Sequence, residues 1–289
     1  MFCGDYTKAR IDALWLEFRG FLGFGGGMFR YLFVFATFFG LLAAKEASLD
    51  SVSEVETLTK MEITSLTKVD EDMQFVTLPS SSLKVGEVGL VIRELENYQV
   101  LVSSLEIASI DGASARAKVI PFKQLKQPYL PTPRLNPKEG DKVIFRSYNN
   151  KAFLIAPDED SYQAIKNQYP FMDFVSSDLL MGFLNSRGKH EPNAKTLPMA
   201  CSDYAVGLVF IVASKGLSVL SCENLATLHR QELSLPADIT PSSPFYTRVN
   251  FDGGGSLTYI FASKKSKKDY FGYYDSLIDG LPPKKAKKK

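Results

Sequence analysis

From Met61 to Pro157 the apolar residues come in short runs, and turn-forming residues interrupt each run before a helix of ordinary length could form. Leu83–Arg93 reads as a turn leading into a buried strand, and Tyr98–Ile110 as one strand or two broken at Ser103 and Ser104. Ala115–Val119 alternates small or apolar residues with basic ones, the period-two mark of a half-exposed strand, and Asp111-Gly112 supplies the hairpin turn before it. Pro128, Pro131, Pro133 and Pro137 impose an extended connector. Gly140-Asp141 then turns into Lys142–Phe145, and Asn149-Asn150 links that strand to Lys151–Pro157. The pattern predicts an all-β unit of six or seven short strands over 61–157.

Beyond Pro157 the period changes. Asp158, Glu159 and Asp160 place carboxylates at a helix N-terminus, where they complement the positive end of the dipole, and Tyr162, Ile165 and Tyr169 follow at helical spacing. A second helix is expected over Asp178–Asn185, stopping near Gly188. Tyr204–Val212 reads as one continuous apolar strand covered on both faces, followed by Leu217–Leu220. Leu225–Leu235 fits a strand or a helix equally. Asp252–Ser256 is a glycine-rich turn, and Asp269–Asp279 carries Tyr270, Tyr273, Tyr274, Leu277 and Ile278 on one helical face. The fold class is therefore α+β: an all-β unit, a mixed α/β part over 158–279, and a basic tail over 280–289.

The N-terminus points to export. Arg30 precedes an uninterrupted apolar stretch from Tyr31 to Leu42, which ends in Ala43-Ala44 before charge resumes at Lys45. This is the layout of a secretory signal peptide, too short to span about 30 Å of hydrocarbon comfortably. The alternative is an anchor helix from Phe21 to Ala44, but Arg30 and Gly25-Gly26-Gly27 interrupt it. The signal region is assigned to 1–44, with 1–27 attributed to a mis-assigned start ahead of Met28. Residues 45–60, rich in Ser, Glu and Thr, read as a linker to the domain over 61–279. The expected location is the periplasm or the outer-membrane surface.

Hydrophobic residues at 45% and charged residues at 23% exclude wholesale disorder and a disulfide-dense scaffold. From residue 45 onward, 30 Lys+Arg stand against 29 Asp+Glu. Nine of those lysines fall into two clusters, Lys264, Lys265, Lys267 and Lys268, then Lys284, Lys285, Lys287, Lys288 and Lys289. Without them the body carries a net charge of −8. A basic segment on an acidic body can meet an acidic partner without involving the rest of the fold. Anionic lipid or a carboxylate-bearing protein site are the candidates; export argues against nucleic acid. A solvated lysine tail without a partner is the plainer reading.

No arrangement of residues points to an enzyme, and no cofactor or metal is expected. His190 and His229 have no second His or Cys at ligand spacing. Asp158, Glu159 and Asp160 lack the glycine and glutamate of a calcium loop. The glycines at 23–27 and 253–255 lack the strand, helix and lysine of a phosphate loop. Cys201 and His190 make a poor nucleophile–base pair, because Cys222 is the better partner for Cys201 in an oxidising compartment. One disulfide between Cys201 and Cys222 is expected, with two buried free thiols as the alternative. Lys289 presents an ammonium and, at a chain end, an α-carboxylate a few Å apart. Kringle modules bind that zwitterion between paired carboxylates, a cationic patch and an aromatic trough, using cation–π and charge-assisted contacts.

Several segments together resemble the N-terminal domain of the plasminogen-binding protein A family of Gram-negative envelope proteins. They are KVGEVGLVIR at Lys84–Arg93, KQPYLPTP at Lys126–Pro133, GDKV at Gly140–Val143, KAFLIAP at Lys151–Pro157 and VGL at Val206–Leu208, then the Cys201 and Cys222 pair, PFYTR at Pro244–Arg248 and DYFGYY at Asp269–Tyr274. They cover about Glu62 to Ile278. The resemblance implies a non-enzymatic, exported virulence factor that captures host plasminogen, through its kringle domains, by lysine. Lys289 would carry that role, supported by Lys284, Lys285, Lys287 and Lys288. A rival expectation is a periplasmic scaffold within an envelope assembly such as the flagellar motor, touching assembly proteins or anionic lipid.

Overall fold

The structure, a computed structural model, describes residues 50–80, 82–122, 135–236, 238–249 and 265–280. The tail lysines Lys284–Lys289, the signal region, Pro128–Pro133 and the Gly253–Gly255 turn lie outside the described residues. Among those described, no helix is long and apolar enough to cross a membrane.

The first layer is a seven-stranded antiparallel sheet built from β1 (Glu62–Ser65), β2 (Lys68–Val69), β3 (Phe75–Pro79), β4 (Val88–Glu94), β5 (Gln99–Asp111), β6 (Ser114–Ile120) and β7 (Lys142–Phe145). The strand order is β1-β7-β4-β5-β6-β3-β2. Only Leu66 and Thr67 separate β1 from β2, and the chain bends there. The Leu66 N–H donates to Asp141 O and the Thr67 N–H to Thr77 O, at 2.9 Å each. One chain segment thus serves both ends of the sheet and curls it shut, so that few backbone groups are left at an edge. Inward positions alternate along the strands: Val76 and Leu78, Ala115 and Ala117, Val143 and Phe145, Leu105 and Ile107. Gly89 makes room for the largest of these, because a Cβ there would lie 2.7 Å from the Phe145 ring.

The second layer is a five-stranded mixed sheet, order β12-β11-β10-β8-β9. Its strands are β8 (Lys151–Ile155), β9 (Asp173–Val175), β10 (Leu208–Ala213), β11 (Gly216–Ser221) and β12 (Thr227–Gln231). β8 runs parallel to both β9 and β10, so the strand expected to complete the all-β unit belongs to the other sheet. Its sequence, apolar on both faces, suits a strand covered by helices on either side.

Alternate residues of β10 serve opposite cores. Leu208, Phe210 and Val212 face Val55 and Leu58 of α1 (50–59) and Tyr162 and Ile165 of α2 (Glu159–Gln168). Val209, Ile211 and Ala213 face α3 (Ser177–Ser186), α4 (Thr196–Tyr204) and the C-terminal helix. Asp158 caps α2 by accepting from the Ser161 N–H at 2.8 Å, and Ser176 caps α3 by accepting from the Asp178 N–H at 3.2 Å.

Two further expectations change, and one open choice is decided. Residues 50–59, read as linker, form α1: Val52, Val55 and Leu58 make a stripe too thin to stand out among Ser, Glu and Thr. The run from Tyr204 is not all strand, since Tyr204 ends α4 and the left-handed Ala205 (φ 51°) turns the chain before β10 begins. Leu225–Leu235, which fitted strand or helix, contains the strand β12 over Thr227–Gln231.

Arg146 joins the two layers. It follows β7, and its buried guanidinium donates to both oxygens of Glu87 at 2.9 Å. It also donates to Thr57 O of α1 at 3.0 Å and to Ser82 O at 2.7 Å.

Candidate functional site

The described part of the lysine-bearing end is α5 (Lys265–Lys268), Asp269 and α6 (Tyr270–Ile278). Ser266 is 2% exposed. Its N–H donates to the Glu191 carboxylate at 2.6 Å, its hydroxyl donates to the same oxygen at 2.9 Å, and it lies 3.1 Å from the Ser243 hydroxyl. With Ser266 turned inward, Lys265, Lys267 and Lys268 are turned to solvent, and all three are exposed. None of their ammonium groups forms an ion pair among the described residues.

α5 ends at Lys268: the Asp269 N–H closes its last turn by donating to Lys265 O at 3.2 Å, while the Asp269 backbone itself is extended (φ −156°, ψ 89°). Asp269 is exposed, and its Oδ1 accepts from the Gly272 N–H at 2.9 Å, capping α6. A Cβ at Gly272 would come 2.1 Å from Asp269 Oδ2 and push the capping carboxylate aside.

Behind this exposed turn α6 is fixed by its tyrosines, on the face expected from their spacing. Tyr273 donates to Pro192 O at 2.5 Å and Tyr274 to Pro244 O at 2.7 Å. The Tyr270 and Tyr274 rings pack 4.7 Å apart, and the Tyr273 and Tyr274 rings 5.2 Å apart edge to face. Burial pushes all three phenols well above the ordinary tyrosine range. At the far end Asp279 pairs with Arg230 of β12 at 3.2 Å, and Asp275 bonds Ser214 in the β10–β11 turn. The lysines of α5 therefore stand on a mount held at both ends.

Cys201 and Cys222 are joined in a disulfide, with their Cα atoms 5.8 Å apart. It ties the end of α4 to the segment after β11, on the same side of the sheet as α6. Replacing both cysteines by serine is expected to cost about 3 kcal/mol in the chain-entropy account for so short a loop. Thermal melting of the double variant beside the oxidised protein checks this, and coincident transitions would refute it.

A contact network that the sequence did not reveal centres on His229. Its Nε2 lies 2.8 Å from Ser51 Oγ and its Nδ1 2.9 Å from Glu54 Oε2, while Lys84 approaches the same carboxylate at 3.4 Å. The hydrogen bond from His229 and the charge of Lys84 hold the Glu54 carboxyl below its usual range. Beside it, the Tyr169 hydroxyl donates to Gln231 Oε1 of β12 at 2.6 Å. The network clasps α1 against β12. Its partners lie 175 and 178 residues apart, beyond any local spacing rule. Among the described residues no group of three or more His, Cys, Asp or Glu side chains is placed to hold a metal ion.

A family model described as "Plasminogen-binding protein pgbA N-terminal" matches residues 61–278. The chain belongs to this family. Two proteins named plasminogen-binding protein PgbA, from Helicobacter pylori strains J99 and 26695, are 39% and 38% identical to it over 250 residues. That alignment takes in 86% of this chain and 53% and 52% of theirs, so the chain spans about half the length of those relatives. The region matched by the family model contains both sheets, the disulfide and the whole α5–α6 mount.

Proposed function

We propose that this protein is an exported, non-enzymatic binder of host plasminogen that presents lysine side chains to kringle modules. The observation that carries the reading is the 39% identity to a protein named for plasminogen binding, in a chain whose lysines cluster at its C-terminal end. The apolar stretch behind Arg30 and the disulfide support export, since disulfides persist in oxidising compartments. In this reading Lys284, Lys285, Lys287, Lys288 and above all Lys289 engage the receptor. An ammonium over an aromatic ring contributes about 0.5–2 kcal/mol, and a charge-assisted hydrogen bond about 1.5–3 kcal/mol.

Surface plasmon resonance on immobilised plasminogen is expected to show saturable binding that 6-aminohexanoate competes away. Lys289→Ala, which removes the ammonium from the terminal residue, should weaken binding roughly tenfold to thirtyfold, the equivalent of one such contact. Binding that the lysine analogue leaves unchanged would overturn the reading.

A further inference from the structure

We propose that the folded domain carries a second plasminogen-binding determinant, separate from the tail: Lys265, Lys267 and Lys268 on α5, paired in space with the carboxylate of Asp269. This rests on the plasminogen reading above and adds a site to it.

Location is the first support. The family match ends at residue 278, so it takes in these lysines and none of Lys284–Lys289. Whatever the matched region contributes to binding must come from groups within it.

Availability is the second. The three lysines are exposed, and none is in an ion pair among the described residues. Elsewhere Lys60 is paired with Glu56, whereas Lys118 and Lys215 are exposed and in no ion pair among the described residues; α5 differs in placing three such lysines within four residues. Unpaired ammonium groups can be handed to a partner without first breaking an internal contact.

The third is shape. A lysine-binding pocket recognises a cation and an anion held a short distance apart, and a chain end supplies both on one residue. Within a chain the anion has to come from a neighbouring side chain. Asp269 follows Lys268 directly, and its N–H is bonded back to Lys265 O at 3.2 Å, so its carboxylate is carried on the same short turn as the lysines. Only Oδ1 of its carboxylate is used as the cap of α6, and the residue is exposed, so charge remains open to a partner.

Rigidity is the fourth. Ser266 locked to Glu191, and Tyr273 and Tyr274 locked to backbone carbonyls, fix the base from which these side chains project. Binding then orders little beyond the lysine stems.

The test uses the full chain in four forms: unchanged, with the five tail lysines 284, 285, 287, 288 and 289 changed to alanine, with Lys265→Ala, Lys267→Ala and Lys268→Ala, and with both sets combined. The tail variant is expected to keep binding that 6-aminohexanoate competes, within about tenfold of the unchanged protein, and the combined variant to lose at least roughly a hundredfold. Asp269→Asn in the tail variant should lower the remaining affinity about fivefold to tenfold while keeping the helix cap, since asparagine caps as well as aspartate. Circular dichroism and thermal melting confirm that each variant is folded. If the unchanged protein binds and the tail variant does not, the second determinant is overturned and the tail reading stands. If the tail variant binds but the α5 substitutions leave it unaffected, this assignment is overturned as well. If the unchanged protein shows no competable binding, the plasminogen reading itself fails.

Discussion

Changing Arg146 to methionine should lower the folding stability of the domain by about 3–5 kcal/mol, the usual cost of removing one member of a buried ion pair. Arg146 is 5% exposed and Glu87 2%. Without the guanidinium, Glu87 keeps one neutral donor, the Lys84 N–H at 2.9 Å, for a charge shut away from water. Ser82 O loses its donor, Thr57 O keeps only the Lys60 N–H at 3.2 Å, and α1 loses this tie to the barrel. The left-handed backbone at this position (φ 64°) is equally awkward for either residue, so the difference reports the side chain. Urea unfolding measures it. The double variant with Glu87→Gln should recover part of the loss, because it removes the stranded charge. A single variant within 1 kcal/mol of the parent, or no recovery in the pair, would show that the contact does not hold the layers together.

The second large effect is alkaline unfolding. Burial raises the Tyr169 phenol to about 12, and the Tyr270, Tyr273 and Tyr274 phenols are also raised. An unfolded tyrosine loses its proton near pH 10. Between the two values the unfolded chain binds fewer protons than the native one, so stability falls as pH rises. The contribution is fully present below about pH 10 and is lost as pH climbs through 12. For Tyr169 alone the change is about 2–3 kcal/mol, and the three tyrosines of α6 add to it. Tyrosinate absorbance followed together with circular dichroism should show a set of tyrosines that ionise only as the fold is lost. Ionisation of all 13 tyrosines near pH 10 with the circular dichroism unchanged would contradict this. Tyr270→Phe should be tolerated and should flatten the alkaline limb, since the Tyr270 hydroxyl has no hydrogen-bond partner among the described residues.

Both effects depend on residues whose importance local pattern could not disclose. Arg146 looks like any arginine after a strand, and Tyr169 like one more apolar position on α2. Their partners sit 59 and 62 residues away, brought close by packing alone. The same holds for His229, which the sequence offered only as a histidine without a metal partner.

What the sequence determined by itself was periodic or chemical. Alternation marked β6, the buried aliphatic runs marked β8 and β10, and the tyrosine spacing marked the inward face of α6. Asp158 announced its helix, and two cysteines beyond a signal-like stretch announced their bond. The lysine clusters were plain as composition. Only the tertiary structure decided that β8 leaves the barrel for the second sheet, that one bent segment closes that barrel at Leu66–Thr67, that a thin valine–leucine stripe is a helix, and that Ser266 turns its three lysine neighbours outward on a fixed base. Hydrophobic period is written in neighbouring residues. Strand pairing, ion pairs and the direction a surface cluster faces are settled by contacts between residues far apart in the chain, and those exist only once it has folded.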